Sequence, residues 1–303
     1  MSSTTVRVPA KINLALGVGP VAADGLHALA TVYQAVDLCD EVHATSRDDD
    51  EIVVSVHLDA ERERGSVPLD GTNLAVRAAL ALREATGVTA GATLAIRKAI
   101  PVAGGMAGGS ADAAAALVAC DELWGTGLGR AGLEPIAASL GSDVPFCLHG
   151  GTAMGGGHGE QISPVLARGG YQWVFAIAER GLSTAAVYAE FDAITDGVVT
   201  EPEVPDQLMA ALRAGDAEAL GAALSNDLQP AALRLRPELE ETLAVGRQCG
   251  ALGALLSGSG PTAMFLAGDA QHAMDIAVAL AAAQVCVDVV QAAAPVAGAR
   301  VVG

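Results

Sequence analysis

Apolar residues near the start of the chain recur at every second position: Val6, Val8, Ile12, Leu14 and Leu16. That is the period of a half-buried strand. Segments 29–37 and 52–58 read the same way, so the first 60 residues predict a β-rich beginning. The spacing turns helical over 73–86, with Asn73 as N-cap and Gly87 just past the end. Residues 92–98 return to a strand. After a glycine-rich turn at 101–110, an alanine-rich helix is predicted from about 110 to 123 and another over 131–139. The glycine-dense stretch 150–159 is read as the junction between a unit of 1–155 and one of 156–303. Beyond it the pattern predicts a strand at 171–178, a helix at 183–193 and helical segments at 205–213 and 216–225. A helix at 237–248, strands at 252–257 and 262–267, a helix at 270–282 and a strand at 284–291 follow. Strands and helices mix without strict alternation, which favours an α+β fold over a doubly wound parallel sheet.

Composition narrows the function classes. A chain of 303 residues suggests about two domains. With 51% hydrophobic and 17% charged residues it has the means to build a sizeable core. The balance of 17 Lys+Arg against 35 Asp+Glu leaves a net charge of −18, which argues against a nucleic-acid partner. A small anionic ligand needs only a local cluster of positive groups. The five cysteines, Cys39, Cys120, Cys147, Cys249 and Cys286, are odd in number and form no CxxC pair. They read as buried thiols in a reducing, cytoplasmic protein. The first residues lack a signal-peptide core, and no long uninterrupted apolar stretch occurs, so no membrane partner is expected. No long heptad pattern announces an interface, and a monomer is expected.

Three polar or glycine-rich segments stand out. The first is Pro101-Val102-Ala103-Gly104-Gly105-Met106-Ala107-Gly108-Gly109-Ser110-Ala111, running into Asp112 and an alanine-rich helix. Its glycines let the backbone approach a bulky ligand, and it opens on a helix N-terminus, where free N–H groups attract anions. From glycine content alone it is either a phosphate loop or a flexible turn before a helix. Ser110 stands where a Walker A loop needs lysine, and no G-x-G-x-x-G spacing is present. Ser110 is a candidate helix cap or magnesium contact. The second segment holds Lys11 and Asn13, which share one strand face as a functional pair or as a solvated one. The third is Leu256–Thr262, either a ligand loop or a hairpin turn. Asp143, in Gly141–Phe146, is a candidate carboxylate or a turn residue. No G-x-S-x-G elbow supports a serine hydrolase.

Together these segments resemble the GHMP kinase superfamily. Residues 101–111 are similar to its phosphate loop, P-x-x-x-G-L-G-S-S-A-A, with Met106-Ala107 in place of Leu-Gly. Ser257–Thr262 resembles its C-terminal motif. Ala10–Leu14, Asp24–His27, Thr31–Gln34, Gly141–Phe146 and Asn226-Asp227-Leu228-Gln229-Pro230 are similar to the branch acting on a cytidine-diphosphate-linked methylerythritol. The resemblance implies a two-domain fold, with an N-terminal domain like domain 2 of ribosomal protein S5 and a ferredoxin-like C-terminal domain. It implies phosphorylation by ATP, with Mg2+, of the 2-hydroxyl of 4-diphosphocytidyl-2-C-methyl-D-erythritol in the non-mevalonate route to isoprenoids. By the same resemblance Asp143 takes the hydroxyl proton beside Lys11. Residues 101–111 with Asn73 and Lys98 bind ATP, and Ser110 contacts magnesium. Asn13, His27, Thr184 and Tyr188 bind the cytidyl substrate. A kinase of mevalonate or homoserine would not need the His27–Tyr188 base pocket, and a non-catalytic sensor would not need Asp143 and Lys11. Leu26 departs from the pattern, standing where the branch often has an aromatic residue. Ala103 and Ala107 replace glycines.

Overall fold

A computed structural model of the chain describes residues 2–58 and 67–302. The first sheet begins with β1 (Ser3–Val21), β2 (His27–Ser46) and β3 (Ile52–Leu58), followed by α1 (Leu74–Thr86) and β4 (Ala92–Lys98). Helices α2 (Gly108–Trp124), α3 (Gly129–Leu140) and α4 (Val144–His149) come next, then β5 (Thr152–Gly156) and β6 (Gln161–Pro164). Strand β7 (Tyr171–Ile177) starts the second sheet, and α5 (Thr184–Thr195), α6 (Asp206–Ala214) and α7 (Ala217–Ala223) follow it. The chain continues through β8 (Ser225–Asn226), α8 (Gln229–Leu235), α9 (Leu239–Gln248), β9 (Gly253–Leu256) and β10 (Ala263–Ala267). It closes with α10 (Ala270–Ala283), β11 (Asp288–Ala294) and β12 (Arg300–Val301).

The first sheet runs β12-β1-β2-β4-β3, with β5 on β2, β6 on β5, and β8 parallel to β1. Helix α2 packs across β1 and β2, flanked by α1, α3 and α4. The expected alternation of β1 is present, but neither of its faces is wet. Val8, Ala10, Ile12 and Leu14 are fully buried in the α2 core, and the opposite face carries Lys11 and Asn13, also buried. A second layer therefore covers what the period alone presents as a solvent face. The sheet also runs past the expected junction at 155/156. Residues 150–159 form β5 and the turn to β6, because their glycines fit against Tyr33: a Cβ on Gly155 would lie 2.5 Å from its ring.

The second sheet is antiparallel, in the order β11-β7-β10-β9. Numbered within that half, the order is 4-1-3-2, which is ferredoxin-like. Both faces are buried, so β7 reads as a nearly continuous apolar run. Trp173 and Phe175 enter the core shared with the first sheet, while Val174 and Ala176 face a second core under α5, α8, α9 and α10. The fold is α+β, as expected. The pattern missed the short α4 and α8, and it placed the last strand at 284–291 instead of Asp288–Ala294.

One buried polar contact ties the two sheets. Trp173 Nε1 donates to Gln34 Oε1 at 3.0 Å, and Gln34 Nε2 donates to Thr152 Oγ1 at 3.2 Å; Trp173 and Gln34 are fully buried. Trp173→Phe keeps an aromatic ring there but strands the Gln34 acceptor. The expected cost is about 1–3 kcal/mol, read as a lower denaturation midpoint with an unchanged denaturant slope. An unchanged midpoint would show that the bond is no structural tie.

Candidate active site

Lys11 lies mid-strand in β1 and is 6% exposed. Its Nζ donates to Asn13 Oδ1 at 2.9 Å and stands 3.4 Å from Asp143 Oδ2. Asn13 is oriented from behind: its Nδ2 donates to Thr31 Oγ1 at 2.8 Å, and Thr31 donates to the Ala15 carbonyl at 2.7 Å. Asp143 occupies the position before α4, yet its side chain makes no capping bond. The carboxylate is thereby left to face Lys11, partly open to solvent at 29% side-chain exposure. The Tyr33 ring lies 5.4 Å below Lys11 Nζ. Burial, then the neighbouring Asp143 charge, holds the Tyr33 hydroxyl well above its ordinary pKa, so it stays protonated. A cation, a carboxylate and an amide thus converge at one point, and two further loops close over it.

The segment 101–107 and the loop 256–262 lie back to back. Ser257 Oγ donates to the Gly105 carbonyl at 3.1 Å, and a Cβ on Gly105 (φ 76°) would lie 2.1 Å from the Ser257 carbonyl oxygen. Only glycine permits that approach. Gly258, with φ 56°, faces the Asn13 and Lys11 side chains. The Asn226–Pro230 motif holds the second loop in place. Asn226 Nδ2 donates to the Leu256 and Gly258 carbonyls at 2.9 and 2.7 Å, and Gln229 Oε1 accepts from Leu256 N at 2.8 Å. The first loop is tied to β1 through Lys11 N, which donates to the Met106 carbonyl at 3.3 Å. Helix α2 starts at Gly108 with no side-chain cap. Ser110 is therefore inside the first turn of α2 and does not cap it. The uncapped N–H groups leave a site that favours an anion.

The remaining sequence-predicted residues fall into two groups. On one side is a cavity of about 320 Å³, lined by Leu58, the segment 98–103, Gly181 and Val290 among others. Lys98 borders it, but its Nζ is committed to Asp40 Oδ2 at 2.5 Å and Asp112 Oδ2 at 2.7 Å. Asn73 does not line the cavity; it caps α1, accepting from Ala75 N at 2.9 Å and donating to the Pro68 carbonyl at 2.7 Å. On the other side, His27 and Tyr188 stack on each other with ring centroids 5.2 Å apart. The His27 ring nitrogens are engaged by the Gly19 carbonyl at 2.8 Å and, more loosely, by Asp192 Oδ1 at 3.3 Å. Burial, with Asp143, pushes the Tyr188 phenol up to about 12. Thr184 opens α5, its hydroxyl 2.9 Å from that of Ser259. Leu26, next to His27 in the chain, is 54% exposed.

Residues 73–151 match the family model for the GHMP kinases N terminal domain, and residues 208–285 match that for GHMP kinases C terminal. The 4-diphosphocytidyl-2-C-methyl-D-erythritol kinase of Thermobifida fusca (strain YX) is 55% identical over 304 residues, covering 99% of each chain. The chain belongs to this family of GHMP kinases. The enzyme of the same name from Streptomyces coelicolor is also 55% identical, again over 99% of both chains. A crystal structure of 4-(cytidine 5'-diphospho)-2C-methyl-D-erythritol kinase superposes with a TM-score of 0.77 at 31% identity, covering 96% of this chain and 99% of that one.

Sequence reasoning missed two parts of this kinase's site. Asp40 is fully buried in β2; its Oδ1 accepts from Ala99 N at 2.6 Å and Ile100 N at 2.8 Å, the backbone just before the glycine-rich segment 101–111. With Lys98 and Asp112 it forms an ionic cluster beneath Gly108, the first residue of α2, and a Cβ there would lie 3.1 Å from Lys98 Nζ. Burial pushes the Asp112 carboxyl well above its ordinary value against the pull of Lys98. Burial opposes the Lys98 charge, but the Asp112 and Asp40 carboxylates outweigh it and raise its pKa. An unpaired polar residue on a strand was the only signal available for Asp40. The second part is strain: Ala103 and Ala107 hold left-handed backbone at φ 53° and 57°, a conformation that favours glycine. Lys98→Met removes the cation shared by two buried carboxylates. The expected loss is about 3–5 kcal/mol of stability, measured by chemical denaturation; a loss under 1 kcal/mol would mean the cluster is not an ionic anchor.

Proposed function

We propose that this kinase transfers the γ-phosphoryl group of ATP to the 2-hydroxyl of 4-diphosphocytidyl-2-C-methyl-D-erythritol, in the non-mevalonate route. The observation that carries the reading is the Lys11–Asp143 pair, 3.4 Å apart, buried on one side and open on the other. Asp143 is the general base. A hydroxyl attacks poorly until its proton has an acceptor, and a carboxylate at hydrogen-bond distance supplies one. Lys11 favours the ionised carboxylate and offsets charge developing on the transferring group. Asn13, held by Thr31, orients Lys11 and meets the methylerythritol hydroxyls. Phosphoryl transfer asks mainly for positioning and charge stabilisation, so the uncapped α2 N-terminus with residues 101–111 does what a Walker lysine does elsewhere.

The nucleoside end of ATP takes the 320 Å³ cavity bordered by Lys98. Lys98 and Asn73 act there by holding the cavity wall and α1, since their polar atoms are already engaged. Tyr188 and His27 form the base pocket together with neighbouring Leu26, and Thr184 reads the diphosphate with Ser259. Leu26 contributes apolar contact without the stacking component of an aromatic ring. Among the described residues no group of three or more His, Cys, Asp or Glu is arranged to hold a metal ion. Magnesium would be held chiefly by the phosphate oxygens of ATP, with Ser110 in the first turn of α2 as a protein contact, and would neutralise phosphate charge. The net charge of −18 argues against a nucleic-acid partner, and a monomer is the proposed working unit. Among the described residues no helix is long and apolar enough to cross a membrane.

The test is an ADP-release assay with ATP and magnesium, offering the cytidyl substrate, mevalonate and homoserine in parallel. Turnover is expected with the first alone; turnover of either other alcohol would sink the pocket assignment. Asp143→Asn keeps the shape and removes the proton acceptor. Its kcat is expected to fall by about 10²–10⁴, with KM for ATP little changed, and a kcat near wild type would take Asp143 out of the mechanism.

A further inference from the structure

The turn from β5 to β6 carries His158, a residue with no role in the reading above. Its side chain reaches across to the 22–27 loop. Nδ1 lies 2.9 Å from the His27 carbonyl oxygen, and Nε2 lies 2.9 Å from Asp24 Oδ2. Both partners are pure acceptors. Asp24 is fixed in turn, because its Oδ1 accepts from Leu26 N at 3.0 Å; that bond most of all, with the charge of His158, lowers its pKa and keeps it ionised. A neutral imidazole carries one N–H and would leave one of these contacts with two lone pairs facing each other. Only the doubly protonated ring satisfies both.

The loop so held is the one that carries the base pocket. Leu26 and His27 sit within it, and the His27 ring stacks on Tyr188. The backbone reinforces the contact, since Leu29 N donates to the Gly157 carbonyl at 2.8 Å. We infer that His158 is a positioning residue, whose imidazolium latches the 22–27 loop to the β5–β6 turn and thereby sets affinity for the cytidyl substrate. This rests on the substrate assignment proposed above.

The charged groups around the ring point the same way. Asp24 faces it from the loop, and Glu160, whose Oε2 accepts from His158 N at 2.8 Å, faces it from its own turn. His27 and Asp192 of α5 lie on the far side of the loop, paired with each other. The His27 carbonyl raises the His158 pKa above the ordinary histidine value, against partial burial, with Asp24 and Glu160 adding to it. The latch is therefore complete below the ordinary histidine pKa and is lost as pH rises through the raised folded value.

The experiment compares wild type, His158→Arg and His158→Asn, measuring KM and kcat for the cytidyl substrate at saturating ATP between about pH 6 and about pH 9. Wild-type KM is expected to rise about two- to fivefold across this range. His158→Arg, a permanent cation, is expected to stay flat, and His158→Asn to hold the raised KM throughout. Changes in kcat and in KM for ATP should be the same in all three. Superimposable KM profiles in the three proteins would overturn the inference. A ¹⁵N titration of the imidazole in ligand-free wild type decides the latch without reference to substrate. A ring protonated at both nitrogens above the ordinary histidine pKa supports it, and a ring neutral at that pH overturns it. Failure of wild type to turn over the cytidyl substrate would instead sink the functional reading and leave the titration to decide the latch.

Discussion

A buried ammonium must find acceptors, and the arrangement around Lys11 follows from that constraint. An uncompensated charge in so apolar a setting costs far more than a domain's net stability can absorb. The side chain is therefore satisfied from three directions, by the Asn13 amide, the Asp143 carboxylate and the face of the Tyr33 ring. Each partner is itself fixed. Asn13 is held through Thr31 to the backbone of β1, and Asp143 sits at the start of a short helix where its side chain is spared from capping. The Lys11–Asp143 pair is thus held in place by the same contacts that satisfy the buried ammonium.

The same economy governs the glycine-rich loops. The chain carries a net charge of −18, so nothing in its overall field attracts a polyphosphate. Attraction has to come from a local source, and the uncapped end of α2 is the one proposed for it. Two loops that approach within van der Waals distance of each other's backbone hold that end open, and glycine is required where they touch, at Gly105. Beneath them the Asp40–Lys98–Asp112 cluster fixes the start of the loop and the start of the helix relative to one another. Lys98, which on sequence grounds belongs with ATP, borders the cavity but spends its charge on this anchor.

Much of the site was legible from residue types and spacing. Lys11 and Asn13 share a strand face as the period of two requires, and Asn73 and Gly87 cap α1 where the helical pattern begins and ends. The glycine-dense stretch at 150–159 was not legible. Read as a junction, it is a hairpin whose glycines make room for Tyr33, a packing reason that local sequence does not carry. Asp40 and His158 escaped for a related cause. Each is an ordinary polar residue until a partner distant in sequence arrives, Lys98 for one and Asp24 for the other.

The sequence by itself determined the α+β class, most of the elements and the family, because period, caps and glycine spacing are local properties and the motifs stand in fixed order. Tertiary structure alone decided what those residues do to one another. It turned a strand's polar face into a buried site, made His27 and Tyr188 neighbours, and committed the side chains of Asn73 and Lys98 to structural partners. The physical reason is that burial and pairing depend on which surfaces meet, and here the meeting surfaces come from segments more than a hundred residues apart: β1 with the 256–262 loop, and β2 with β7.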